Sequence, residues 1–214
     1  MKNKINFIIL FIPLIFLSCQ NSNAPEKNIL YTPELLPLNT GNYWIYSVGI
    51  KDSYDDTTYS FKDTLKVISE NDSGFFLKSS SGLILPDGYY LNKNDGLYSG
   101  NRLQFKYPGS IGEYCGEMGL VGLINSVGEK PSGIIDRINY SFTSTNFSGG
   151  SVTFSDCYYY FLAGFYIVPE IKTTGYTVFK PGVGIVQLDW TDINEVLNEF
   201  HNPYAVLIEY SITD

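Results

Sequence analysis

From about Leu35 onward the chain runs in short apolar stretches cut by turn residues. Most stretches are clusters of apolar and aromatic residues bounded by turn residues, as expected of strands. Tyr, Phe, Val, Ile and Thr dominate them, the residues that suit a pleated, half-buried surface. The pattern predicts strands near Tyr43–Ile50, Tyr59–Ser69, Phe75–Ser80, Gly88–Asn92 and Leu97–Tyr107. Five more follow near Asn139–Thr143, Val152–Phe161, Tyr176–Lys180, Gly184–Asp189 and Ala205–Ile212. Asn71-Asp72-Ser73-Gly74, Pro86-Asp87-Gly88, Asn94-Asp95-Gly96 and Ser148-Gly149-Gly150 stand between strands. Asp-Gly is a strong hairpin signal because both central residues of a type I′ turn need positive φ. The expected fold is therefore all-β and mainly antiparallel.

Helix is expected only over Thr191–Phe200. Thr191 or Asp192 can cap it, and Ile193, Val196, Leu197 and Phe200 fall on one helical face. Residues 116–138 are Gly-rich and read as a long loop with a short strand. In Tyr158-Tyr159-Tyr160-Phe161, alternation sends Tyr158 and Tyr160 to one face, Tyr159 and Phe161 to the other. Rings on both faces mean either a sheet covered on both sides or a groove lined with rings. In the second case Trp44, Tyr46, Tyr160 and Trp190 are the candidate ligand-binding residues. One spacing recurs: Pro37, Gly41 and Tyr43 are matched by Pro108, Gly112 and Tyr114, each set placing a glycine just before a strand.

The first residues follow a different rule. Lys2 and Lys4 precede an apolar run, Ile5–Leu17, that ends at Ser18-Cys19. A charged start, a short apolar core and a small residue before the cut describe a secretory signal. The run is shorter than the ~20 apolar residues a membrane-spanning helix needs. The junction resembles the lipobox of bacterial lipoproteins, with Phe16 in place of the usual aliphatic residue. That resemblance implies cleavage before Cys19 and lipidation of its thiol with palmitate-like chains. Each buried CH₂ contributes about 0.8 kcal/mol, so two or three chains would anchor the protein stably. The expected layout is a signal peptide over 1–18, a tether over 19–34 with Pro25 and Pro33, and one β domain over 35–214. Gln20, rather than Asp, follows the cysteine, which by the same resemblance favours the outer membrane. Without an acidic cluster after Cys19, the periplasmic face is expected.

Composition narrows the function. The formal net charge is −8, and removal of Lys2 and Lys4 makes it −10. That balance opposes nucleic-acid binding, which needs a basic surface, and opposes adhesion to anionic lipid headgroups. His201, the sole histidine, sits in Glu199-Phe200-His201-Asn202-Pro203, where a solvated or capping role is commoner than catalysis. No spacing supports zinc. Asp52, Asp55 and Asp56 lack the alternating ligands and glycine of a calcium loop. No phosphate-binding glycine loop is present. No cofactor, metal or enzymatic activity is expected.

With Cys19 modified, Cys115 and Cys157 are the remaining thiols. A bridge closing roughly 43 residues would contribute about 4 kcal/mol. The alternative is a pair of buried free cysteines acting as small apolar residues.

Leu36-Pro37-Leu38-Asn39-Thr40-Gly41-Asn42-Tyr43-Trp44-Ile45-Tyr46 resembles the "PL-x-x-G-N-x-W-x-Y" opening of Bacteroidetes-type lipoproteins of uncharacterised function. Asn94–Tyr98 and the "PGVG" strand motif in Phe179–Val186 match the same family. The resemblance implies a curved antiparallel sheet similar to the open barrels of lipoprotein carriers, and brings no catalytic residues. Two non-catalytic roles remain. The curved sheet holds an apolar or glycan ligand, or an aromatic face docks on an outer-membrane protein complex. A pocket would favour the first and an exposed aromatic patch the second.

Overall fold

The computed structural model describes residues 33–51, 57–117, 132–148, 150–167, 170–194 and 199–213. Residues 33–214 cluster as one unit. Twelve strands are present: β1 Tyr43–Lys51, β2 Thr57–Asn71, β3 Gly74–Ser79, β4 Gly88–Lys93, β5 Gly96–Ser99, β6 Arg102–Lys106, β7 Tyr114–Glu117, β8 Ser132–Phe147, β9 Gly150–Ile167, β10 Glu170–Lys180, β11 Gly184–Asn194 and β12 Glu199–Ser211. They form a single sheet in the order β6-β5-β4-β3-β2-β1-β12-β11-β10-β9-β8-β7. The paired strands are antiparallel. Consecutive strands are neighbours except that β1 pairs with β12, so the meander curls round.

The two free edges, β6 and β7, come together without a hydrogen-bonded ladder. A Cβ built on Gly116 of β7 would lie 2.4 Å from the Gln104 carbonyl oxygen of β6. Tyr160 Oη donates to the Lys106 carbonyl at 2.8 Å, and Lys106 Nζ pairs with Glu113 at 3.2 Å. The result is a nearly closed barrel, in keeping with the curved sheet or open barrel that the family resemblance implies.

Alternation explains what fills it. On β1, Trp44, Tyr46 and Val48 are buried while Tyr43, Ile45 and Ser47 are half-buried. On β2, Leu65 and Val67 are buried and Lys66 and Ile68 exposed. The inward row meets Phe105, Tyr160 and Phe179, whose rings pack edge-on or tilted at 4.4–5.7 Å. Truncating one such buried ring costs about 3–5 kcal/mol. Leu35, Leu36 and Leu38, ahead of β1, are also buried. They are held by Asn92 Nδ2 donating to the Leu36 carbonyl at 2.7 Å and Gly182 N–H donating to the Glu34 carbonyl at 2.7 Å. Apolar inside and charged outside is the reverse of a membrane-spanning barrel, whose apolar band faces lipid. No helix among the described residues is long and apolar enough to cross a membrane.

The repeated Pro-Gly-Tyr spacing builds two equivalent turns. Asn42 N–H donates to the Asn39 carbonyl, and Glu113 N–H to the Ser110 carbonyl. Gly41 and Gly112, at φ +100° and +85°, donate across to Val67 and Ile135 respectively. Positive φ at both positions is where glycine is needed.

Three expectations are corrected. The helix over Thr191–Phe200 is absent where the residues are described: Thr191–Asn194 ends β11 and Glu199–Phe200 begins β12, with Ile193 opposite Phe200. Ladder pairing overrides local periodicity, and Thr, Ile and Phe are good strand formers. The single strand over Leu97–Tyr107 is two strands turned at Ser99-Gly100-Asn101, with Gly100 at φ +58°. Residues 132–138 belong to β8 rather than to a loop. The long β8–β9 hairpin bends through register shifts at Asn139 and Asp156, both at positive φ. Its tip reaches β12, where Ser144 Oγ donates to the Leu207 carbonyl and Ser148 N–H to that of Ile208.

Candidate functional site

Trp44, Tyr46, Tyr160 and Trp190 lie on three well-separated strands, and all are buried, at 0%, 0%, 0% and 3% exposure. The polar tips of Trp44, Tyr46 and Tyr160 are engaged inside the barrel. Trp44 Nε1 donates to the Val183 carbonyl at 2.5 Å. Tyr46 Oη donates to the Ile185 carbonyl at 3.0 Å. Burial pushes both the Tyr46 and Tyr160 phenols well above their ordinary pKa, with the Asp63 charge adding to the shift at Tyr46. Trp190 rests on Gly175, where a Cβ would approach its ring to 2.7 Å. All four belong to the buried hydrophobic core that fills the barrel. They are core anchors, and none presents a face to solvent.

The outward face of the same strands is different. Tyr114 on β7 stands opposite Ile134 on β8, and Ile134 stands opposite Phe161 on β9. Cross-strand neighbours of this kind have Cβ atoms about 5 Å apart. The three are 50%, 42% and 40% exposed, and Ile111, in the turn leading to β7, is 62% exposed. Four large apolar side chains therefore form one exposed strip. Phe161 in turn faces Tyr176 on β10, which stacks on Tyr159 with centroids 4.8 Å apart. The Arg137 guanidinium covers Tyr159 at 5.0 Å. Tyr176 Oη accepts from Gln187 Nε2 at 2.7 Å and donates to Asp189 at 3.4 Å, and burial followed by the Asp189 charge raises its phenol. The strip thus has a firm aromatic border. Of its members the sequence pointed only to Phe161, through the alternation in β9. Ile134-Ile135 carried the missing signal, because adjacent strand residues face opposite ways and one of the two must point outward.

The one buried carboxylate with a dense polar shell is Asp63 on β2. It accepts from Ser79 Oγ at 2.9 Å, Ser80 Oγ at 2.5 Å, Ser81 N at 3.0 Å and, at very short range, Ser81 Oγ. Burial by itself raises this carboxyl. The bonds from Ser80, Ser81 and Ser79 outweigh that and hold it below the ordinary value. All three hydroxyls donate to the one carboxylate. The cluster pins the Ser79–Gly82 turn to β2.

Cys115 and Cys157 are buried free thiols. Burial pushes them up to about 12 and about 11. The bridge is replaced by its alternative for a geometric reason. Cys115 lies against Gly133, whereas Cys157 pairs with Tyr140, seven positions further along β8. At a rise of about 3.3 Å per residue that is roughly 20 Å, beyond the reach of about 7 Å that a bridge allows.

Cys19 and Asp52, Asp55 and Asp56 lie outside the described residues, as does the His201 side chain. No group of three or more His, Cys, Asp or Glu could hold a metal among the described residues.

No family model matches this chain, and no curated protein does. Two solved structures resemble it. One is described as an exported protein with a YmcC-like fold from Bacteroides fragilis, 14% identical, with a TM-score of 0.38 over 84% of this chain and 99% of that one. The other is described as a lipoprotein from Parabacteroides distasonis, 13% identical, with the same TM-score and coverage. A likeness at that level assigns neither residues nor activity. The class rests on this chain's own architecture: a twelve-stranded antiparallel open barrel with a filled core.

Proposed function

We propose that this chain is a lipid-anchored envelope protein without catalytic activity, which docks on an envelope protein partner. Cys19 carries the acyl chains, and the outer membrane, on its periplasmic face, is the proposed location. The docking surface is the strip of Ile111, Tyr114, Ile134 and Phe161. The observation that carries this reading is the exposure of three directly opposed apolar side chains on β7, β8 and β9. Exposed apolar strips with a polar border mark interaction sites more often than they occur by chance. The alternative role, an apolar or glycan ligand held by Trp44, Tyr46, Tyr160 and Trp190, finds no support in rings that are buried and hydrogen-bonded internally.

A photoreactive residue at Phe161 tests the docking reading in the native envelope. It should give a discrete protein adduct that disappears when Ile134→Asp is added. The same probe at Thr143, exposed on the hairpin arm, should give none. Adducts of equal yield from both positions, or adducts to lipid alone, would overturn it. Cys19→Ala should release the chain from the membrane fraction or leave its signal uncut, and unchanged processing and membrane association would remove the anchor from the proposal.

A further inference from the structure

A second exposed face differs in kind from the docking strip. Phe76 on β3 faces Tyr89 on β4, and Leu91 on β4 faces Tyr98 on β5. Phe76 and Tyr89 meet edge to face at 5.0 Å. Ile68, at the bulge of β2 beside Phe76, and Leu91 are 46% and 39% exposed. The charges among these rings are positive. Lys66 on β2 stands directly opposite Lys78 on β3, and Lys93 Nζ lies over the Tyr98 ring at 4.0 Å. These three lysines and Lys62 are exposed. Most acids of the same strands lie away from the rings: Asp63 points inward, and Glu70, Asp72 and Asp87 stand at strand ends and in turns. Asp95 alone reaches the face, where it accepts from Tyr98 Oη at 2.9 Å.

We propose that this outer face of β2–β5 lies on an anionic lipid bilayer and orients the barrel on the membrane. Charge complementarity and side-chain type argue for lipid. Lysines with long apolar stems, aromatic rings and isolated aliphatic residues form the set that settles at a headgroup boundary. The processed chain's overall charge of −10, two lysines fewer than the full −8, does not oppose local contact, because acids further than about 8–10 Å away are screened at physiological salt. Chain length argues for the same surface. Residues before β1 enter the barrel at β4, where Asn92 Nδ2 donates to Glu34 at 3.0 Å, between Leu91 and Lys93 in sequence. From Cys19 to Pro33 the chain spans at most about 50 Å. An acyl chain on Cys19 would therefore hold the barrel within reach of the bilayer, with charge and side-chain type selecting the face, and the proposal rests on the anchor reading for that proximity alone.

Amine footprinting tests it. The acylated protein and its Cys19→Ala counterpart are mixed with vesicles of phosphatidylcholine, or of phosphatidylcholine and phosphatidylglycerol in equal parts. In anionic vesicles Lys66, Lys78 and Lys93 should react several-fold more slowly than in neutral ones. Lys106 and Lys180 should be unchanged, and molar salt should abolish the difference. In the Cys19→Ala protein, replacing both Lys66 and Lys78 with Gln should weaken binding to anionic vesicles about 25-fold, at about fivefold per lysine. Both side chains are exposed, so folding is not at stake. Equal reactivity with both vesicle types would overturn the proposal, as would protection that rises with protein concentration in the absence of vesicles. Failure of the acylated protein to float with neutral vesicles, alongside intact lipid-dependent protection, would remove the anchor and leave this face standing.

Discussion

The Asp63 cluster gives the sharpest test of how the fold is held. Asp63→Asn keeps the shape of the side chain and removes its charge. The carboxylate accepts four hydrogen bonds, from Ser79, Ser80 and twice from Ser81. The amide retains one acceptor oxygen, which can serve about two of those donors. Hydrogen bonds to a charged group contribute about 1.5–3 kcal/mol each. The loss is offset in part because a neutral amide is cheaper to bury than an ion. The expected net loss is about 2–4 kcal/mol. At roughly 2–4 °C per kcal/mol for a domain of this size, the melting temperature should fall by about 5–15 °C. Urea unfolding at neutral pH would measure this as a lower midpoint with an unchanged slope. The pH dependence gives a second reading. The folded-state carboxyl lies below its ordinary value, so its stabilisation is complete above about pH 4 and is lost as pH falls through the folded-state value. The gap between the parent and Asp63→Asn should therefore narrow toward pH ~3. A deficit below about 0.5 kcal/mol, or one of constant size across that range, would refute the account of the cluster.

Two further outcomes follow from the interior. Alkylation without reductant should add two groups to unfolded protein, at Cys115 and Cys157. In the native state at pH ~8, thiols raised to about 12 and about 11 should react on the order of a hundredfold or more slowly than ordinary thiols, and an intact mass showing no alkylation after unfolding would reveal a bridge. Thr177 Oγ1 is buried and finds no hydrogen-bond partner among the described residues, so Thr177→Val should raise the stability measured by urea unfolding by about 1 kcal/mol, whereas a comparable loss would mean that the hydroxyl is satisfied.

The sequence made the strands legible because the same residues carried both the pattern and the packing. Trp44, Tyr46 and Val48 alternate with the half-buried Tyr43, Ile45 and Ser47 and are buried in the barrel. Gly74 and Gly96, read as turn glycines, adopt φ +115° and +150°. The errors arose where long-range pairing decided the outcome. Ile193 and Phe200 fit a helical face, yet each finds its partner in the other across a hairpin. Ser132–Ile138 carries only Ile134, Ile135 and Ile138 as a local strand signal, and its full extent is set by pairing with Tyr159–Ala163. The candidate site was less legible for a related reason. Rings at period two were visible, but burial depends on which face the sheet curls toward. Trp44 and Tyr160 went inside, while Tyr114, Ile134 and Phe161 were left outside. Cross-strand opposition of those three appears only once the register is known.

The paired turns at Asn39–Asn42 and Ser110–Glu113 divide the barrel into two six-strand meanders, Tyr43–Lys106 and Tyr114–Ser211, each entered in the same way. In the ring, the first strand of each meander lies beside the last strand of the other: β1 ladders with β12, and β7 approaches β6. That arrangement is an isologous, two-fold one. One ancestral meander, associating with a second copy of itself, would satisfy it without any change of topology. Fusion of the two genes would then account for a covalent link across one junction, between β6 and β7, and none across the other. On this view the extensive β1–β12 ladder keeps the old subunit contact, and the short β6–β7 seam is where joining the copies relaxed the need for one.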